Sequence, residues 1–379
     1  MKELQPSGTA AAVQPQLAAT AAPDATAMVP LAGRRVAQAK KAYTVRRVAL
    51  TRSEGLRLAQ ASPRSGDLVL ARVAQLGMHQ HLESADGRRQ RLWPGDEIVV
   101  AYGRRYAPDQ FEAVIPDDLS ACHLVAGGGV AARVLSRHAS VRPATQIEPI
   151  GLLADSLGVL NLRRSALGAS AGGRAPLMVA VLGSSMNAGK TTTAAHVIAG
   201  LRRAGLRVGA AKVTGTGAGG DRWLMHDAGA AVVLDFTDMG YASTAGLELP
   251  ALERLFIELS GHVASAGVDC TVIEVADGLL QRETAALVCS HVFAKYVDAV
   301  VFAAPDALSA IAGVSWLQQR ALPVVAVSGV LTASPLATRE AASALRLSLH
   351  TADELATPGV LAGLLPRVPE LVEHAGRAA

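Results

Sequence analysis

The second half of the chain alternates apolar runs with amphipathic stretches. Six short runs are rich in Val, Ile, Leu and Ala, and most are followed by a segment whose apolar positions have helical spacing. These runs are residues 177–182, 207–213, 230–236, 269–275, 298–304 and 322–328. Near-continuous apolar strands that alternate with helices are typical of a parallel sheet covered on both faces. The pattern therefore predicts a doubly wound α/β fold with a mostly parallel sheet for residues 177–379.

Residues 43–165 follow a different pattern, in which short β-branched runs are separated by Pro- and Gly-containing turns. Three such runs are residues 43–50, 66–76 and 96–103. Their spacing predicts antiparallel strands in a small barrel. Three glycines at 127–129 precede an Ala-containing segment at 130–138, for which we predict a helix. Residues 150–155 and 158–162 predict a hairpin.

Two stretches of low complexity divide the chain. Residues 1–42 are rich in Ala, Pro, Gln and Thr and lack hydrophobic periodicity, which predicts a disordered tail. Residues 166–176 are small and turn-forming, so we predict an interdomain linker there. The predicted organisation is a tail, a smaller β-rich, barrel-like domain at 43–165, the linker, and an α/β domain at 177–379.

Composition and charge narrow the function classes. Half of the 379 residues are apolar and 18% are charged, which allows a large core and excludes global disorder. The formal net charge is only +4, so a nucleic-acid partner is not indicated. The sequence has no run of about 18 uncharged apolar residues, so we expect no membrane partner. Three cysteines are too few for a disulfide framework, which favours a reducing, cytoplasmic location.

One feature of the barrel segment keeps a nucleic-acid role open as an alternative. Basic and aromatic residues lie close together along it, as in surfaces that bind single strands by charge and stacking. These residues are Arg88, Arg89, Arg91, Arg104 and Arg105 with Trp93, Tyr102 and Tyr106. Because the net charge is small, a solvated strand face with ordinary core aromatics explains them better.

The clearest chemical signal lies where the first α/β strand meets its helix. The pattern Gly-x4-Gly-Lys-Ser/Thr binds phosphate because successive backbone N–H groups and a helix N-terminus point at one anion. Here Ser184 stands at the first glycine position, with Gly183 one residue upstream. We expect Lys190 to contact the β- and γ-phosphates of ATP and Thr191 to bind Mg²⁺. The predicted nucleotide-binding residues are Gly183, Ser184, Ser185, Met186, Asn187, Ala188, Gly189, Lys190, Thr191 and Thr192.

A second lysine follows a neighbouring strand at its carboxyl end, where open α/β sheets bind ligands. Lys212 ends the second strand, and Thr214 and Thr216 lie in the flexible loop after it. The chain has only six lysines, and an ammonium is not interchangeable with a guanidinium at a compact site. We therefore predict that Lys212 acts with Lys190 in catalysis, and that the two threonines meet the acceptor.

Acidic residues follow the same strands. Glu274 closes an apolar strand, where a buried carboxylate without a cation would be unfavourable, so we predict a catalytic and metal-binding role. The predicted metal ligands are Thr191, Asp221 and Glu274. Asp227 and Asp277 are the alternatives for completing the metal site, although Asp277 could instead cap the next helix.

Three segments, GSSMNAGKT, KVTGTG and VIEVADGLL, together resemble dethiobiotin synthetase. The segment GGDRWLMHDAGAAVVL also resembles the MobB-type adaptor protein of molybdopterin-guanine dinucleotide biosynthesis. Both resemblances fall within residues 177–330 and imply a P-loop NTPase domain. The turn after Glu274 departs from the Gly-Ala-Gly-Gly-like turn of the synthetase, so the substrate does not carry over. No Asn-Lys-x-Asp segment follows a late strand, which favours ATP over GTP.

Together these observations predict an ATP- and Mg²⁺-dependent enzyme of the kinase or ligase type that phosphorylates or activates a small-molecule substrate. The alternative is a nucleotide-binding adaptor or switch whose β-domain docks a partner. The sequence leaves open the acceptor, the role of the β-domain and whether the chain forms a homodimer.

Overall fold

The computed structural model describes residues 28–31, 33–57, 62–170 and 173–378. The strands before residue 166 are β1 (Met28–Pro30), β2 (Lys40–Lys41), β3 (Gly55–Arg57), β4 (Leu68–Gln75), β5 (His81–Glu83), β6 (Arg89–Arg91), β7 (Glu97–Tyr102), β8 (Arg105–Tyr106), β9 (Phe111–Val114), β10 (Cys122–Ala126), β11 (Val130–Arg137), β12 (Thr145–Asp155) and β13 (Gly158–Val159). Helix α1 is formed by Gly33–Gln38, and the 3-10 helices by Tyr43–Val45, Leu50–Arg52 and Leu162–Ser165.

The elements after residue 176 alternate strand and helix. The strands are β14 (Leu177–Gly183), β15 (Val208–Lys212), β16 (Val232–Asp235), β17 (Cys270–Glu274), β18 (Ala299–Ala303), β19 (Val324–Ser328) and β20 (Ser348–Leu349). The helices are α2 (Lys190–Arg203), α3 (Gly220–Asp227), α4 (Leu249–Ala264), α5 (Arg282–Val288), α6 (His291–Tyr296), α7 (Ala307–Gln318), α8 (Pro335–Ala344), α9 (Ala352–Leu355), α10 (Pro358–Leu364) and α11 (Arg367–Ala378), with a 3-10 helix at Val330–Ala333. Within the described ranges, no helix combines the length and apolar character that crossing a membrane requires.

Five strands of the N-terminal part close into a barrel. β12 pairs with β4, β4 with β7, β7 with β11, β11 with β10, and β10 again with β12. The β7–β11 pair is parallel, and the other four are antiparallel. Leu70, Val99 and Ile147 are fully buried in an aliphatic core. The barrel-like fold is therefore confirmed, with one parallel pairing that the sequence did not predict.

Two element predictions in this part are wrong. Residues 130–138 contain β11 and not a helix, because β11 pairs with β7, β9 and β10, and this ladder outweighs the helix propensity of its alanines. Tyr43–Val45 is a 3-10 helix at the start of the segment for which we expected a strand. All three of its side chains are buried, so these apolar positions reflect packing and not strand alternation. The hairpin between residues 150 and 162 is present as β12–β13.

The predicted tail is only partly described. Residues 1–27 lie outside the described ranges. Contrary to the prediction, Met28–Pro30 pairs with β3 and Gly33–Gln38 is helical, so order begins before residue 42. An ion pair between Arg35 and Glu97 (2.7 Å) joins α1 to the barrel strand β7, and Val36 of α1 packs in the aliphatic core of the barrel.

The C-terminal part is built on one parallel sheet. Its order is β16-β15-β17-β14-β18-β19-β20, and every neighbouring pair is parallel. Alternate residues of β14 enter two separate apolar clusters, Met178, Ala180 and Leu182 in one and Leu177, Val179 and Val181 in the other. The sheet is thus buried on both faces, and the predicted doubly wound α/β fold is confirmed. The sequence missed β20, because two residues leave no periodic signal.

The segment predicted as a linker packs against the C-terminal part where it is described. The Leu167 N–H donates to the Asp238 carbonyl oxygen at 2.9 Å, and a ring nitrogen of His262 lies 2.8 Å from the Gly168 carbonyl oxygen. Residues 171 and 172 lie outside the described ranges. The domain boundaries at 165 and 177 stay predictions.

Candidate functional site

The loop between β14 and α2 has the geometry of a phosphate-binding loop. Asn187 and Gly189 have positive φ values of 62° and 96°, a conformation that turns successive N–H groups toward one point. A Cβ added at Gly183 would lie 2.7 Å from Cγ of Lys190, so only glycine fits beneath that side chain. Gly183 therefore lets the Lys190 side chain lie close to the backbone. Ser184 can then stand at the first glycine position of the phosphate-binding pattern.

Lys190 is buried where α2 begins. It is 6% exposed, and its Nζ donates to the Ser185 carbonyl oxygen at 2.7 Å. Burial lowers the pKa of Lys190, although the nearby Glu274 and Asp277 act in the opposite direction. The buried ammonium contacts a carbonyl oxygen and not a carboxylate. Binding of an anion would therefore stabilise it.

Glu274 and Thr191 form the candidate metal site. Glu274 ends β17, directly beside β14, and is 1% exposed. The Thr191 hydroxyl donates to Glu274 Oε1 at 3.1 Å, whereas Oε2 is buried without a hydrogen-bond partner among the described residues. A hydroxyl beside a buried carboxylate oxygen that lacks a partner fits Mg²⁺, which usually keeps phosphate and water among its ligands. The described part of the chain holds no cluster of three or more His, Cys, Asp or Glu side chains able to bind a metal unaided.

Lys212 extends the site from the end of β15. Its Nζ bonds to the Asp221 carboxylate at the start of α3 and lies 3.8 Å from Glu274 Oε1. The structure therefore brings Lys212, Asp221 and Glu274 together, with Asp221 paired to the lysine. Asp227 lies exposed at the other end of α3 and does not line the cavity. Of the two aspartates of α3, Asp227 is therefore the one on the helix surface.

Asp277 lines the same cavity from the turn after β17. Its φ is 66°, and its carboxylate makes no hydrogen bond to any other described residue. Burial raises the pKa of Asp277, an effect that the charges of Lys212, Lys190 and Arg105 only partly offset. The next helix is capped by Gln281, so Asp277 does not have the capping role that the sequence allowed.

The remaining predicted residues divide between the cavity and the core. Met186, Asn187, Gly189, Thr192 and Thr216 line the cavity with Lys190 and Thr191. Thr214 is 1% exposed and donates to the Ala276 carbonyl oxygen at 3.3 Å, so its hydroxyl is already engaged. Of the two loop threonines, Thr216 alone faces the cavity.

The sequence missed the contribution of the barrel to this cavity. Arg105, Tyr106 and Ala107, at β8 and in the turn after it, form part of its lining. The amide of Asn187 donates to Asp109 Oδ2 at 2.7 Å, so the turn between β8 and β9 rests on the phosphate-binding loop. In the sequence, Arg105 is one of several basic residues along the barrel segment. No local pattern signals this contact, because it depends on how the barrel docks.

The cavity has a volume of about 470 Å³, enough for phosphates and a small acceptor. A smaller cavity of about 120 Å³ lies beside it on the far side of Gly189. Its lining includes Ser328, the last residue of β19, and Gly329 and Val330 after it, and it contains no acidic side chain. The two cavities share the phosphate-binding loop as their common wall.

Comparison with known proteins found no matching family model and no matching curated protein sequence. Among solved structures, the chain is similar to the signal recognition particle receptor FtsY from Elizabethkingia anophelis, with 17% identity and a TM-score of 0.31 over 52% of this chain and 56% of that one. It is also similar to the septum site-determining protein MinD from Pyrococcus horikoshii OT3, complexed with Mg-ADP, with 14% identity and a TM-score of 0.33 over 53% and 95%.

A third similar structure is the signal recognition particle 54 kDa protein from Aeropyrum pernix K1 in complex with GDP. It shares 20% identity and a TM-score of 0.33 over 54% of this chain and 50% of that one. The chain thus spans little more than half the length of the receptor structures it matches. At these TM-scores the likenesses carry no weight for function. The parallel sheet and the loop between β14 and α2 have the geometry of a P-loop domain.

Proposed function

We propose that this protein binds ATP with Mg²⁺ and transfers the γ-phosphoryl group to a small-molecule acceptor. The observation that carries the proposal is the unpartnered, buried Oε2 of Glu274 beside the Thr191 hydroxyl, at the base of a cavity that Lys190 also lines. Such an oxygen needs a cation, and a lysine buried on a carbonyl oxygen needs an anion. Mg²⁺ bound to nucleotide phosphates satisfies both.

The residues support distinct roles in this reaction. Lys190 and Lys212 supply positive charge for the phosphates, while Glu274 and Thr191 hold the metal, which would neutralise phosphate charge. In the transfer, the bond from the γ-phosphorus to the bridging oxygen breaks, and that oxygen leaves on ADP with the electron pair. A bond from the acceptor oxygen or nitrogen to phosphorus forms. Asp277, which has no hydrogen bond to any described residue, accepts the acceptor proton.

The absence of an Asn-Lys-x-Asp segment after a late strand of the sequence supports ATP in preference to GTP. Guanine is commonly read by a carboxylate. Residues 329–338, directly after β19, contain none, and no acidic side chain lines the cavity beside Gly189. A kinase or ligase of this type resembles dethiobiotin synthetase in general chemistry. Its acceptor is not defined by that resemblance.

The position of the barrel favours an enzyme over a MobB-like adaptor. Barrel residues Arg105, Tyr106 and Ala107 face the phosphate cavity, where they can select a substrate and exclude water. An adaptor would use the barrel surface away from this cavity. If that alternative is correct, ATP hydrolysis should respond to an added protein and not to small molecules.

The test is nucleotide titration by calorimetry. Lys190→Ala should abolish detectable Mg-ATP binding while the protein remains folded, and Glu274→Gln should bind nucleotide but lose the dependence of that binding on Mg²⁺. Lys295→Ala, which removes an exposed lysine on α6, is the matched control and should bind normally. Unchanged affinity of Lys190→Ala for Mg-ATP would end the P-loop assignment, and equal affinity for Mg-GTP would end the preference for ATP.

A further inference from the structure

Arg105 is a buried arginine with an unsatisfied donor. It is 8% exposed, and its two terminal nitrogens donate to the Val125 carbonyl oxygen and to Gln110 Oε1, the latter at 2.6 Å. Its Nε is buried without a hydrogen-bond partner among the described residues. The guanidinium is therefore anchored on one side by neutral barrel groups, and a strong charged donor is left unused. An unsatisfied charged donor is costly unless a ligand supplies the acceptor.

Arg46, a second arginine of the N-terminal part with a side chain that is only 9% exposed, does have acidic partners. Arg46 contacts two carboxylates, Asp238 at 2.7 Å and Asp235 at 3.4 Å. No carboxylate lies within ion-pair distance of Arg105 in the described structure. Burial lowers the pKa of Arg105 to about 10, and the acid that most opposes this shift is Asp277 across the cavity. A purely structural arginine would be expected to have a counterion, as Arg46 has.

The approach of Arg105 to the P-loop is set by the turn that follows it. Tyr106 and Ala107 line the phosphate cavity beside Arg105, and Asp109 accepts a hydrogen bond from Asn187 at 2.7 Å. Asn187 lies three residues before Lys190, within the loop that surrounds the phosphates. The smaller cavity beside Gly189 lies elsewhere and has no Arg105 in its lining. Arg105 thus lines the cavity that contains Lys190 and Thr191 and not the smaller cavity beside Gly189.

We propose that Arg105, carried by the barrel, binds the terminal phosphate of the nucleotide held by the P-loop. This inference rests on the proposed function and adds a residue to it. The planar guanidinium donates from Nε and the adjacent nitrogen to phosphate oxygens, a geometry that lysine does not reproduce. The barrel is then part of the nucleotide site, because it adds a guanidinium to the two lysines, Lys190 and Lys212, that the α/β part supplies.

The experiment compares nucleotides with and without the terminal phosphate. The affinities of full-length protein for Mg-ADP and for the non-hydrolysable Mg-AMPPNP are measured by calorimetry for wild type, Arg105→Ala and Arg105→Lys. Arg105→Ala should lose affinity for Mg-AMPPNP by about 10- to 100-fold, while its affinity for Mg-ADP changes by less than about threefold. Arg105→Lys should lose less affinity for Mg-AMPPNP than Arg105→Ala, because the positive charge is kept. Some affinity should still be lost, because lysine cannot form the bidentate contact.

Arg104→Ala is the matched control. Arg104 is the exposed neighbour of Arg105, lies against Gly246 and does not line the phosphate cavity, so its loss removes the same charge without the contact. Its preference for Mg-AMPPNP over Mg-ADP should equal that of wild type. Equal loss in Arg104→Ala and Arg105→Ala would overturn the proposal, because net charge alone would then explain the effect.

Three further outcomes would also count against the proposed role of Arg105 or the proposed function. An unchanged ratio of Mg-AMPPNP to Mg-ADP affinity in both Arg105 variants means that Arg105 only supports the β8–β9 hairpin. If thermal melting shows that Arg105→Ala does not fold, the ratio for Arg105→Lys decides alone, and an unchanged ratio is again contrary to the proposal. Failure of wild type to bind Mg-ADP at all would instead refute the proposed function.

Discussion

Asp277 combines an unfavourable backbone conformation with a partly buried carboxylate that lacks a hydrogen bond to any other described residue. Its φ of 66° lies in the left-handed region, which Asn and Asp tolerate better than other residues with a side chain. Its carboxylate lines the cavity without a hydrogen bond to any other described residue. Strain and unpaired charge of this kind persist where the surrounding structure imposes them, and they are common at functional sites.

We therefore predict that Asp277→Asn stabilises the protein at neutral pH. Burial raises the pKa of Asp277, so the native state binds its proton more tightly than the unfolded state, and the stability it contributes falls as the pH rises through that pKa. Asparagine removes the charge and tolerates the positive φ. The free energy of unfolding, measured with urea, should rise by about 1 kcal/mol at pH 7.5. This difference should become smaller as the pH approaches about 4, where the carboxyl group titrates in the unfolded state.

Asp117→Asn is the control, because the Asp117 side chain is 96% exposed and its removal should leave unfolding unchanged. A loss of stability in Asp277→Asn at neutral pH would show that the Asp277 carboxylate is held by the cations around it. Asp277 would then be a structural partner of Lys190 and Lys212 and not a free base.

At this scale the sequence identifies those site residues whose position is set locally. Lys190 and Thr191 are fixed by the loop pattern, and Lys212 and Glu274 by the rule that parallel strands end at one edge of the sheet. The choice between Asp221 and Asp227 was not accessible, because it depends on which end of α3 faces the cavity. Arg105 was not accessible either, since its approach depends on docking between parts of the chain that are distant in sequence. The functions of all these residues stay predictions.

At the scale of strands and helices, predictions from the sequence are correct where the local hydrophobic pattern is strong. The strands of the parallel sheet are predicted correctly because they are buried on both faces and appear as continuous apolar runs. β11 was misread because residues 130–138 contain alanines and lack the alternation of a half-buried strand. Its conformation is imposed by β7, β9 and β10, which lie elsewhere in the sequence.

The turn after β17 is an element whose fit against the P-loop can be tested at Gly278. A Cβ added there would overlap the Ser184 carbonyl oxygen and lie 3.0 Å from Ser185 Cα, so the turn or the loop must move. We expect Gly278→Ala to destabilise the protein by about 1–3 kcal/mol and to weaken Mg-nucleotide binding, since the loop would lose its shape. Urea unfolding and calorimetric titration measure the two effects.

Gly359→Ala provides the control with the opposite sign. Gly359 lies in helix α10, and an added Cβ would meet no atom within 4 Å. Alanine should stabilise the helix by about 0.5–1 kcal/mol and leave nucleotide binding unchanged. If Gly278→Ala binds nucleotide as tightly as Gly359→Ala does, the contact between turn and loop has no role in shaping the site.

At the scale of the whole molecule, a buried ionic network joins the barrel segment to the parallel sheet. The Tyr43 hydroxyl donates to Asp235 at the end of β16, and Arg46 contacts both Asp235 and Asp238. Arg222 of α3 donates to the other oxygen of Asp238 at 3.0 Å. This network lies at the strand next to β15, whose end carries Lys212, so it helps to fix the barrel over the nucleotide site.

We predict that Arg46→Met destabilises the protein by about 3–5 kcal/mol, because it leaves buried carboxylates without their main cation. Burial raises the pKa of Asp235, but Arg46, Thr237 and Tyr43 lower it more, and the pKa lies below its ordinary value. The stabilisation is thus present above the ordinary carboxyl pKa and is lost as the pH falls through the lowered one. The difference between wild type and Arg46→Met in urea unfolding should therefore shrink in acid.

Arg47→Met separates this buried network from charge at the surface. Arg47 is adjacent in sequence and also approaches Asp238, at 3.5 Å, but its side chain is 36% exposed against 9% for Arg46, so its loss should cost under about 1 kcal/mol. Adding Asp235→Asn to Arg46→Met should recover part of the loss, since the amide removes one unpaired charge. If Arg46→Met and Arg47→Met cost the same, the network acts only as surface charge. Apolar packing would then hold the barrel on the sheet, and the position of Arg105 above the P-loop would not depend on these ion pairs.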